Sequence, residues 1–418
     1  MARLIYCLVL YLAAPLIVAR LLWRSRRQPA YRQHLGERWG FYRQKIAAPL
    51  IWVHAVSVGE TRAAAPLIAG LQARYPNHRI LLTGMTATGR ETGASVYGDR
   101  VIQAYLPYDY PGAVGRFLAT FQPQFGVLME TEVWPNLLRA CKHRGTPVFL
   151  VNARLSERSA RGYRRFSALT GSAFQQLNGV AAQTEEDAQR LQALGVASIA
   201  VCGNLKFDVS LPAELVAIGE QWRQVIGERP VFLAASTRDG EEAAILQAWR
   251  RQPGGALLVI VPRHPQRFQD VATLCTGMGF SCRRRSAGLP DADTDIWLGD
   301  SMGEMAAYYA LADLAYIGGS LLPLGGQNLI EAAAAACPIL LGPHTFNFRQ
   351  ASEQAIACGA ARRVADAEAL VMVVQQLLAS PAQRAEMKTA GLAFAEAHRG
   401  ASEKTLEFIV RQLGQAGD

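Results

Sequence analysis

Glu60 occupies a position in the sequence where α/β proteins place reactive groups. It closes the run His54-Ala55-Val56-Ser57-Val58-Gly59-Glu60, which continues the buried-strand pattern of Leu50–His54 and precedes the helix-forming residues 61–65. A strand followed by small residues and a helix puts this carboxylate at a strand-to-helix turn, which favours a chemical role. The simpler interpretation is a favourable interaction with the positive end of the helix dipole. This fragment alone leaves both interpretations open.

A glycine-rich segment in the second half of the chain has the features of a phosphate-binding loop. Residues 318–332 read GGSLLPLGGQNLIEA, follow an apolar strand pattern and run into a predicted helix at 332–336 that Pro338 stops. Glycines allow the backbone to approach a phosphate closely, and a helix N-terminus supplies free N–H groups. The segment therefore predicts a bound nucleotide phosphate. The alternative is a mobile loop that binds nothing.

Further polar positions are predicted around the same ligand. Glu331 lies one helical turn after Asn328 and can accept hydrogen bonds from ribose hydroxyls, with an exposed helix carboxylate as the alternative. Arg263 stands between two prolines, and Met302 lies in a turn of small residues where it can pack against a base. Because these turns follow predicted strands of one sheet, they are expected to converge on one crevice.

Several other classes of protein lack sequence support. The G-x-G-x-x-G fingerprint of dinucleotide-dependent oxidoreductases is absent after both Val53 and Leu233, and the chain has no G-x-S-x-G of a serine hydrolase. The seven cysteines are scattered and include no C-x-x-C pair, which argues against a disulfide framework and a zinc site. A reducing cytoplasm fits this cysteine usage best.

From residue 50 onward, short apolar runs alternate with helical stretches, a pattern typical of parallel sheets covered on both faces. Predicted strands of a first series are 50–54, 80–83, 101–106, 125–129, 147–151 and 179–182. Those of a second series are 231–235, 257–261, 295–298, 314–317 and 339–341. A chain of 418 residues is too long for one ordinary core. We therefore predict two α/β domains with a boundary near residue 210 and a ligand cleft between them.

Charge and the N-terminal segment narrow the choice of partner. The net charge of +9 favours an anionic partner, which is a nucleic acid, a phosphorylated metabolite or an anionic membrane. Residues 4–19 form an uncharged apolar run, and arginines follow it closely, which predicts a cytoplasmic location for the rest of the chain. A cleaved signal peptide is disfavoured because the positive charge follows the run. An in-plane amphipathic helix remains the alternative to a spanning one.

Motifs along nearly the whole chain carry a family resemblance. They include METEVWPN at 129–136 and GPHTFNF at 342–348, together with residues 30–32, 40–43, 54–60, 106–109, 152–156, 204–208, 261–268, 302–304 and the glycine-rich segment. In this combination the chain resembles the Kdo transferases, GT-B glycosyltransferases that move 3-deoxy-D-manno-octulosonic acid (Kdo) from CMP-Kdo onto lipid A precursors. It departs from them at Gln327, where members often have His, and at Pro323-Leu324, which replaces a more polar pair.

The resemblance implies a fold and a role for each domain. The expected class is α/β, of the GT-B type, with two Rossmann-like doubly wound domains facing a cleft and an N-terminal membrane-anchor helix before them. Residues 1–24 are the expected anchor, 25–210 the acceptor-binding domain with the catalytic base, and 211–400 the CMP-Kdo-binding domain. The expected C-terminal helix, 401–418, packs back on the N-terminal domain.

Site residues follow from the same resemblance. The family's catalytic base is the glutamate of the S-V-G-E turn, which matches Glu60, and the reaction it implies is an inverting transfer. Positions matching CMP contacts are Pro262, Arg263, Met302, Gly303, Glu304, Asn328, Leu329, Ile330 and Glu331. Secondary candidates are Ser57, Gly59, Glu130, Arg154, Lys206, Gly318, Gly319, Ser320, Gly325 and Gly326.

The implied partners are CMP-Kdo, a lipid A precursor (lipid IVA) and inner-membrane lipids, with no nucleic acid. No metal and no cofactor are expected, since CMP-Kdo is the donor substrate. A basic stretch is expected to meet acceptor phosphates or the membrane surface, with a solvated helix face as its alternative; it comprises Arg154, Arg158, Arg161, Arg164 and Arg165. Other readings of the function are a membrane-tethered nucleotide-sugar binding protein and a GT-B enzyme of different sugar specificity.

Overall fold

The computed structural model describes residues 1–44, 46–208, 211–251 and 255–415. The chain divides into two compact units, Met1–Asp208 with Gly400–Asp418, and Val209–Arg399, which we call unit 1 and unit 2. The predicted boundary near residue 210 falls on residues 209–210, outside the described ranges, as do residues 416–418 of the predicted C-terminal helix.

A parallel sheet covered on both faces forms the centre of unit 1. Alternate residues of its first strand enter different hydrophobic clusters: Leu50 and Trp52 pack on one side, Ile51 and Val53 on the other. This two-sided burial explains why the strands read as continuous apolar runs. In chain order the strands are β1 (Leu50–His54), β2 (Arg79–Gly84), β3 (Val101–Tyr105), β4 (Phe125–Met129), β5 (Val148–Ala153), β6 (Gly179–Ala182) and β7 (Ile199–Val201). Across the sheet the order is β3-β2-β1-β4-β5-β6-β7.

Helices connect these strands and form the outer layers of unit 1. In chain order they are α1 (Ala2–Arg27), α2 (Val58–Ala63), α3 (Ala65–Arg74), α4 (Ala87–Tyr97), α5 (Pro111–Phe121), α6 (Pro135–His143), α7 (Glu157–Arg165), α8 (Ser167–Phe174) and α9 (Glu185–Gln192). Helix α6 begins at Pro135, where a missing N–H is tolerated. The next two N–H groups, of Asn136 and Leu137, donate to the Asp109 carboxylate at 3.0 and 2.8 Å.

A second parallel sheet forms the centre of unit 2. Its strands are β8 (Val231–Thr237), β9 (Leu257–Pro262), β10 (Cys282–Arg284), β11 (Ile296–Leu298), β12 (Leu314–Ile317), β13 (Ile339–Leu341) and β14 (Ala361–Arg363). They lie in the order β10-β11-β9-β8-β12-β13-β14. The helices before the chain returns to unit 1 are α10 (Ala213–Ile226), α11 (Glu241–Arg251), α12 (Phe268–Gly277), α13 (Met305–Leu311), α14 (Ile330–Ala334), α15 (Arg349–Ala357), α16 (Ala367–Leu378) and α17 (Pro381–Ala397).

Short 3-10 helices complete the connections. They are Pro29–Arg32, Leu35–Trp39, Gly98–Arg100, Leu205–Phe207, Pro265–Arg267, Arg285–Ala287 and Phe346–Phe348. The 3-10 helix Leu205–Phe207 carries Lys206, which belongs to the candidate active site of unit 1.

The predicted α/β class with two doubly wound parallel sheets is confirmed. The predicted strands that lie inside the sheets are present, several at the same residues, such as β1, β4 and β12. The sequence patterns missed β7, β10 and β14, which are three-residue strands at sheet edges. Strands β10 (Cys-Arg-Arg) and β14 (Ala-Arg-Arg) lack an apolar run because an edge strand is covered on fewer sides.

The predicted helix at 332–336 lies two residues earlier in the structure. Helix α14 spans Ile330–Ala334, and Ala336 adopts a left-handed conformation with φ of 53°. The chain therefore leaves the helix before Pro338, and proline is common just beyond a helix C-terminus because it cannot continue the helix.

The N-terminal helix α1 is longer than the apolar run from which it was predicted. It is long and apolar enough to cross a membrane by length and composition. Leu4, Leu8, Leu12 and Leu16 are between 59 % and 73 % exposed. Within unit 1, the Tyr110 hydroxyl donates to the Leu10 carbonyl of α1 at 2.8 Å. The structure is thus consistent with the predicted anchor.

Unit 1 is completed by the last helix of the chain, α18 (Ala401–Gln415). Phe408 and Ile409 of α18 are buried in the cluster that contains Val53 and Val127. Asp208 fixes the start of the helix, because its carboxylate oxygens accept the N–H groups of Gly400 at 3.0 Å and Ser402 at 2.7 Å.

Candidate active site

The sheet of unit 1 changes direction at β1. The chain adds β2 and β3 on one side of β1 and then β4 to β7 on the other. In such sheets ligands bind in the crevice outside the carboxyl ends of the two strands at the switch, here β1 and β4. The turn after β1 carries Ser57 and Glu60, and the turn after β4 carries Glu130. The topology therefore brings together two turns that the sequence selected separately.

Glu60 is held by its own turn. Ser57 is the N-cap of α2, and its hydroxyl donates to Glu60 Oε1 at 2.8 Å. The backbone N–H of Val56 donates to Glu60 Oε2 at 2.9 Å. Burial raises the pKa of Glu60, and these two hydrogen bonds oppose that rise by favouring the ionised form. Gly59 has no close neighbour that excludes a side chain, since a Cβ there would lie 3.9 Å from Ser57 Oγ.

Glu130 is the centre of a charged cluster in unit 1. Its Oε1 lies 2.9 Å from Lys206 Nζ, and its Oε2 lies 3.0 Å from Arg154 Nη2. The Glu130 backbone has a φ of 58°, which side-chain-bearing residues seldom adopt. The fields of Glu130 and Lys206 act on Glu60 in opposite directions, raising and lowering its pKa. The structure thus joins the predicted Glu130, Arg154 and Lys206 to the surroundings of Glu60.

Asn152 links the turns that carry these charges. Its backbone also has a positive φ, 51°, and its side-chain oxygen accepts the N–H of Leu205 at 3.0 Å. Because Leu205 precedes Lys206, this hydrogen bond fixes the lysine-bearing 3-10 helix against the end of β5. The position of the Lys206 ammonium is therefore set by a residue far away in sequence.

Sequence reasoning missed Glu132 as a member of the cluster. Its Oε2 accepts the indole N–H of Trp134 at 2.8 Å. Burial raises the pKa of Glu132, and the negative charges of Glu60 and Glu130 add to the rise. The signal was present in the METEVWPN string, where a second acidic residue follows Glu130 at a spacing of two.

Unit 2 has a corresponding switch point at β8. This strand lies between β9 and β12, so the turns after these three strands share one edge of the sheet. The turn after β9 carries Arg263, and the glycine-rich segment follows β12. The predicted convergence of these segments at one sheet edge is therefore reproduced by the strand order.

Close backbone contacts and positive φ values account for the glycines of this loop and for Gly342, which packs against it. A Cβ on Gly318 would lie 2.3 Å from the Ser236 carbonyl oxygen, and one on Gly342 would lie 2.2 Å from the Ser320 oxygen. Gly319, Gly325 and Gly326 have φ values of 72°, 92° and 76°. Glycine adopts these close approaches and positive φ values at little steric cost, which explains its use here.

A buried carboxylate that the sequence analysis did not select organises the start of the loop. Glu241 is fully buried, and its Oε2 accepts the N–H groups of Gly319 at 2.7 Å and Arg238 at 2.9 Å. Its Oε1 accepts the Tyr316 hydroxyl at 2.6 Å and the Leu321 N–H at 3.1 Å. Four donors thus satisfy the hydrogen-bonding capacity of this buried group without a basic side chain. Glu241 was hard to find because three of its four donors lie 75 to 80 positions further along the chain.

Some predicted CMP positions present side chains and others can present only backbone. Arg263 Nε donates to Gln327 Oε1 at 3.3 Å, and Asn328 Nδ2 donates to Glu331 Oε1 at 3.1 Å. Pro262, Leu329 and Ile330 are buried, so a ligand would meet their backbone. Ser320 is buried as well, and its hydroxyl is engaged within the protein by the Ile317 carbonyl and the Gly342 N–H.

The turn after β11 contributes the remaining candidates. Met302 is 57 % exposed, and Gly303 has a φ of 86°. The Glu304 carboxylate accepts a hydrogen bond from the Ser301 hydroxyl and pairs with Arg285 Nη2 at 3.1 Å. The exposed thioether beside a fixed acidic residue leaves Met302 available to pack against a ligand.

No group of three or more His, Cys, Asp and Glu side chains that could hold a metal ion occurs among the residues the structure describes. The prediction that catalysis uses no metal stays a prediction.

Comparison with known proteins gives the family. Residues 33–209 match a family model described as 3-deoxy-D-manno-octulosonic-acid transferase (kdotransferase). A 3-deoxy-D-manno-octulosonic acid transferase of Bordetella pertussis is 45 % identical over 99 % of this chain and 100 % of its own length. The chain belongs to this family of Kdo transferases. It is thus related to glycosyltransferases over its whole length, and a Haemophilus influenzae family member is 38 % identical over 98 % of both chains.

Solved structures agree on the fold of this Kdo transferase family member. A UDP-GlcNAc 2-epimerase from Neisseria meningitidis covers 87 % of this chain and 100 % of its own with a TM-score of 0.58 at 18 % identity. A glycosyltransferase from Rickettsia africae covers 88 % and 99 % with a TM-score of 0.57 at 13 % identity. At these identities the likeness concerns the fold alone, and it confirms the predicted GT-B type.

Proposed function

We propose that this member of the Kdo transferase family transfers Kdo from CMP-Kdo to a hydroxyl of the lipid A precursor lipid IVA, in lipopolysaccharide inner-core biosynthesis, and inverts the anomeric carbon. The observation that carries the mechanism is Glu60, a half-buried carboxylate at the switch point of unit 1 whose pKa is raised by burial. A general base works best when its pKa approaches the working pH. Family membership supports Kdo as the sugar.

In the proposed reaction, an acceptor hydroxyl oxygen attacks the anomeric carbon of Kdo while Glu60 accepts the hydroxyl proton. The bond between that carbon and the phosphate oxygen breaks, and CMP leaves with the electron pair. A single displacement from the face opposite the phosphate inverts the configuration and requires one base. Glu130 and Lys206 tune this base, since their charges raise and lower its pKa respectively.

Unit 2 binds the donor in this proposal. Arg263 offsets the charge that develops on the departing phosphate, and the glycine-rich loop lets the backbone approach it. Glu331 accepts hydrogen bonds from the ribose, and the exposed Met302 packs against the base. The reaction as proposed includes neither a metal ion nor a cofactor.

Acceptor binding and location complete the proposal. The side chains of Arg158, Arg161 and Arg164 on α7 are exposed, where they can meet the acceptor phosphates or anionic lipid headgroups. Helix α1 anchors the protein in the inner membrane. The arginines that follow its apolar run favour a cytoplasmic catalytic body.

The test is transfer of radiolabelled Kdo to tetraacylated lipid A precursor by the full-length protein, with CMP-Kdo generated in situ because it is labile. The wild type should make product, with or without EDTA. Glu60→Gln should lose at least about 100-fold in kcat/KM, the scale of positioned proton transfer. Glu185→Gln, at an exposed carboxylate in the first turn of α9, is the matched control and should stay active.

Other outcomes separate the alternatives. Wild-type protein that binds CMP-Kdo and transfers nothing to any lipid A acceptor would be a membrane-tethered nucleotide-sugar binding protein. Transfer from a different nucleotide sugar in preference to CMP-Kdo would indicate a different sugar specificity. Near-full activity of Glu60→Gln would return this residue to the role of a helix-start carboxylate.

A further inference from the structure

Arg238 occupies the central turn of the unit 2 sheet edge, and no sequence motif drew attention to it. It follows β8 directly, between the Arg263 turn after β9 and the glycine-rich loop after β12. The Glu241 oxygen that accepts the Arg238 N–H also accepts the N–H of Gly319. Arg238 Cγ lies 3.5 Å from the point where a Cβ on Gly319 would be. The Arg238 side chain therefore runs along the start of the glycine-rich loop.

The arginines at this edge differ in how their charges are compensated. Arg267 pairs with the Asp239 carboxylate and, at 3.3 Å, with that of Glu242. Arg263 donates to the neutral amide oxygen of Gln327. For half-buried Arg238, no carboxylate within ion-pairing distance is found in the part of the chain that the structure describes. Arg238 is thus a partly desolvated cation that an anionic ligand would compensate.

His264 reports how closely these cations approach one another. Burial lowers the pKa of its imidazole, and the positive charges of Arg238, Arg263 and Arg267 lower it further. Arg238 and Arg263 therefore both lie near His264, in the turn after β9. Two neighbouring arginines suit a ligand with two separate negative charges more than one with a single charge.

The donor of the proposed function carries two negative charges, one on the phosphodiester and one on the carboxylate of the sugar acid. With Arg263 assigned to the phosphate, we infer that Arg238 binds the carboxylate of the sugar acid through its guanidinium fork. Planar guanidinium and carboxylate groups form paired hydrogen bonds that set orientation as well as charge. Arg238 would therefore select CMP-linked acidic sugars over neutral ones. This inference rests on the proposed function.

The test compares CMP-Kdo with free CMP, which keeps the nucleotide and its phosphate but lacks the sugar acid and its carboxylate. In the transfer assay, the KM for CMP-Kdo and the inhibition constant of free CMP are measured for wild type, Arg238→Met and Arg238→Lys. We expect Arg238→Met to raise the KM for CMP-Kdo about 10- to 100-fold, the effect of losing a charge-assisted hydrogen bond, and to leave CMP inhibition within about twofold. The KM of Arg238→Lys for CMP-Kdo should lie between those of wild type and Arg238→Met, because lysine keeps the positive charge but lacks the guanidinium fork.

Arg250→Met, at an exposed arginine near the other end of α11, is the control and should change neither constant. Equal losses for CMP-Kdo and CMP would overturn the inference, since Arg238 would then act on the phosphate or on the loop. Unchanged constants in Arg238→Met would overturn it as well. Both results leave the proposed function standing, whereas absence of wild-type transfer with CMP-Kdo contradicts the proposed function and, with it, the carboxylate assignment.

Discussion

Ser57 and Glu60 exchange hydrogen bonds across the first turn of α2. The Glu60 N–H donates to Ser57 Oγ at 3.3 Å, and the Ser57 hydroxyl donates to Glu60 Oε1 at 2.8 Å. The Glu60 carboxylate thus takes part in the start of α2, and its pKa also responds to the charges of Glu130 and Lys206. The two interpretations of Glu60 that the sequence left open are compatible, because one group can fulfil both.

Ser57→Ala should move the acidic limb of the pH–rate profile to higher pH. The Ser57 hydroxyl favours the ionised form of Glu60, so its removal raises the Glu60 pKa and protonates the proposed base at a pH where the wild type is active. Losing the cap should also cost about 0.5–2 kcal/mol of stability. The measurement is kcat/KM for Kdo transfer between pH 5 and 9.

Thr184→Ala provides the matched control for Ser57. Thr184 caps α9 and exchanges the same pair of hydrogen bonds with Asp187, at 3.2 and 3.0 Å. It should lose similar stability and keep the wild-type pH profile. An equal displacement of both profiles would mean that loss of stability, and not the Glu60 pKa, governs the change.

Lys206→Met should also shift the acidic limb of the pH–rate profile to higher pH. The ammonium lies 2.9 Å from Glu130 Oε1 and lowers the pKa of Glu60, so a neutral side chain raises that pKa. Lys206→Arg keeps the charge and should restore most of the profile. Arg154→Met is the comparison, because Arg154 pairs with the same Glu130 carboxylate through a side chain that is 60 % exposed and therefore screened. A profile unchanged in Lys206→Met would exclude it from the tuning of Glu60.

Glu241→Gln should weaken donor binding more than Glu242→Gln does. Glu241 accepts hydrogen bonds from four donors, two on each of its carboxylate oxygens. A glutamine has only one acceptor oxygen, so one pair of these donors would face the amide N–H₂ group and lose its acceptor. Glu242 is equally buried but contacts Thr237 and Arg267. The measurements are the inhibition constant of CMP and the unfolding transition of each variant. Equal CMP inhibition constants in Glu241→Gln and Glu242→Gln would show that Glu241 supports only the fold.

The buried imidazole of His54 should make unit 1 sensitive to acid. Burial lowers its pKa to about 3 from 6.5, and Nδ1 lies 2.9 Å from Thr83 Oγ1. The unfolded chain then binds a proton that the folded chain excludes, so the stability from this group is full above pH 6.5 and falls as the pH drops towards 3. At about 1.4 kcal/mol per pH unit, the loss reaches about 2 kcal/mol at pH 5.

His54→Asn tests this acid sensitivity because asparagine does not titrate. Urea unfolding followed by tryptophan fluorescence at pH 7.5 and pH 5 should show a smaller difference between the two pH values in this variant than in wild type. His143→Asn, at an exposed histidine in the last turn of α6, should keep the wild-type difference. The same pH dependence in all three proteins would rule out His54 as its source.

The central strands and the turns after them could be predicted, because a strand covered on both faces must be apolar throughout, as β1 and β4 are. The edge strands β10 and β14 could not be predicted, since they are short and arginine-rich, whereas the edge strand β3 has an apolar run and was predicted. In the candidate site, Glu60 and Arg263 follow strands and were found. Glu241 and Arg238 gain their surroundings from segments some 80 residues away, and local patterns do not encode such contacts.

The return of α18 to unit 1 affects the order in which the protein can be completed during synthesis. Phe408 and Ile409 fill the cluster behind Val53, and Asp208 holds the start of their helix. A ribosome makes these residues after all of Val209–Arg399, so the whole of unit 2 emerges before unit 1 receives its last helix. The nascent chain therefore exposes the apolar surface that α18 covers for about half of its elongation. During this period unit 1 is most prone to aggregation and most dependent on chaperones.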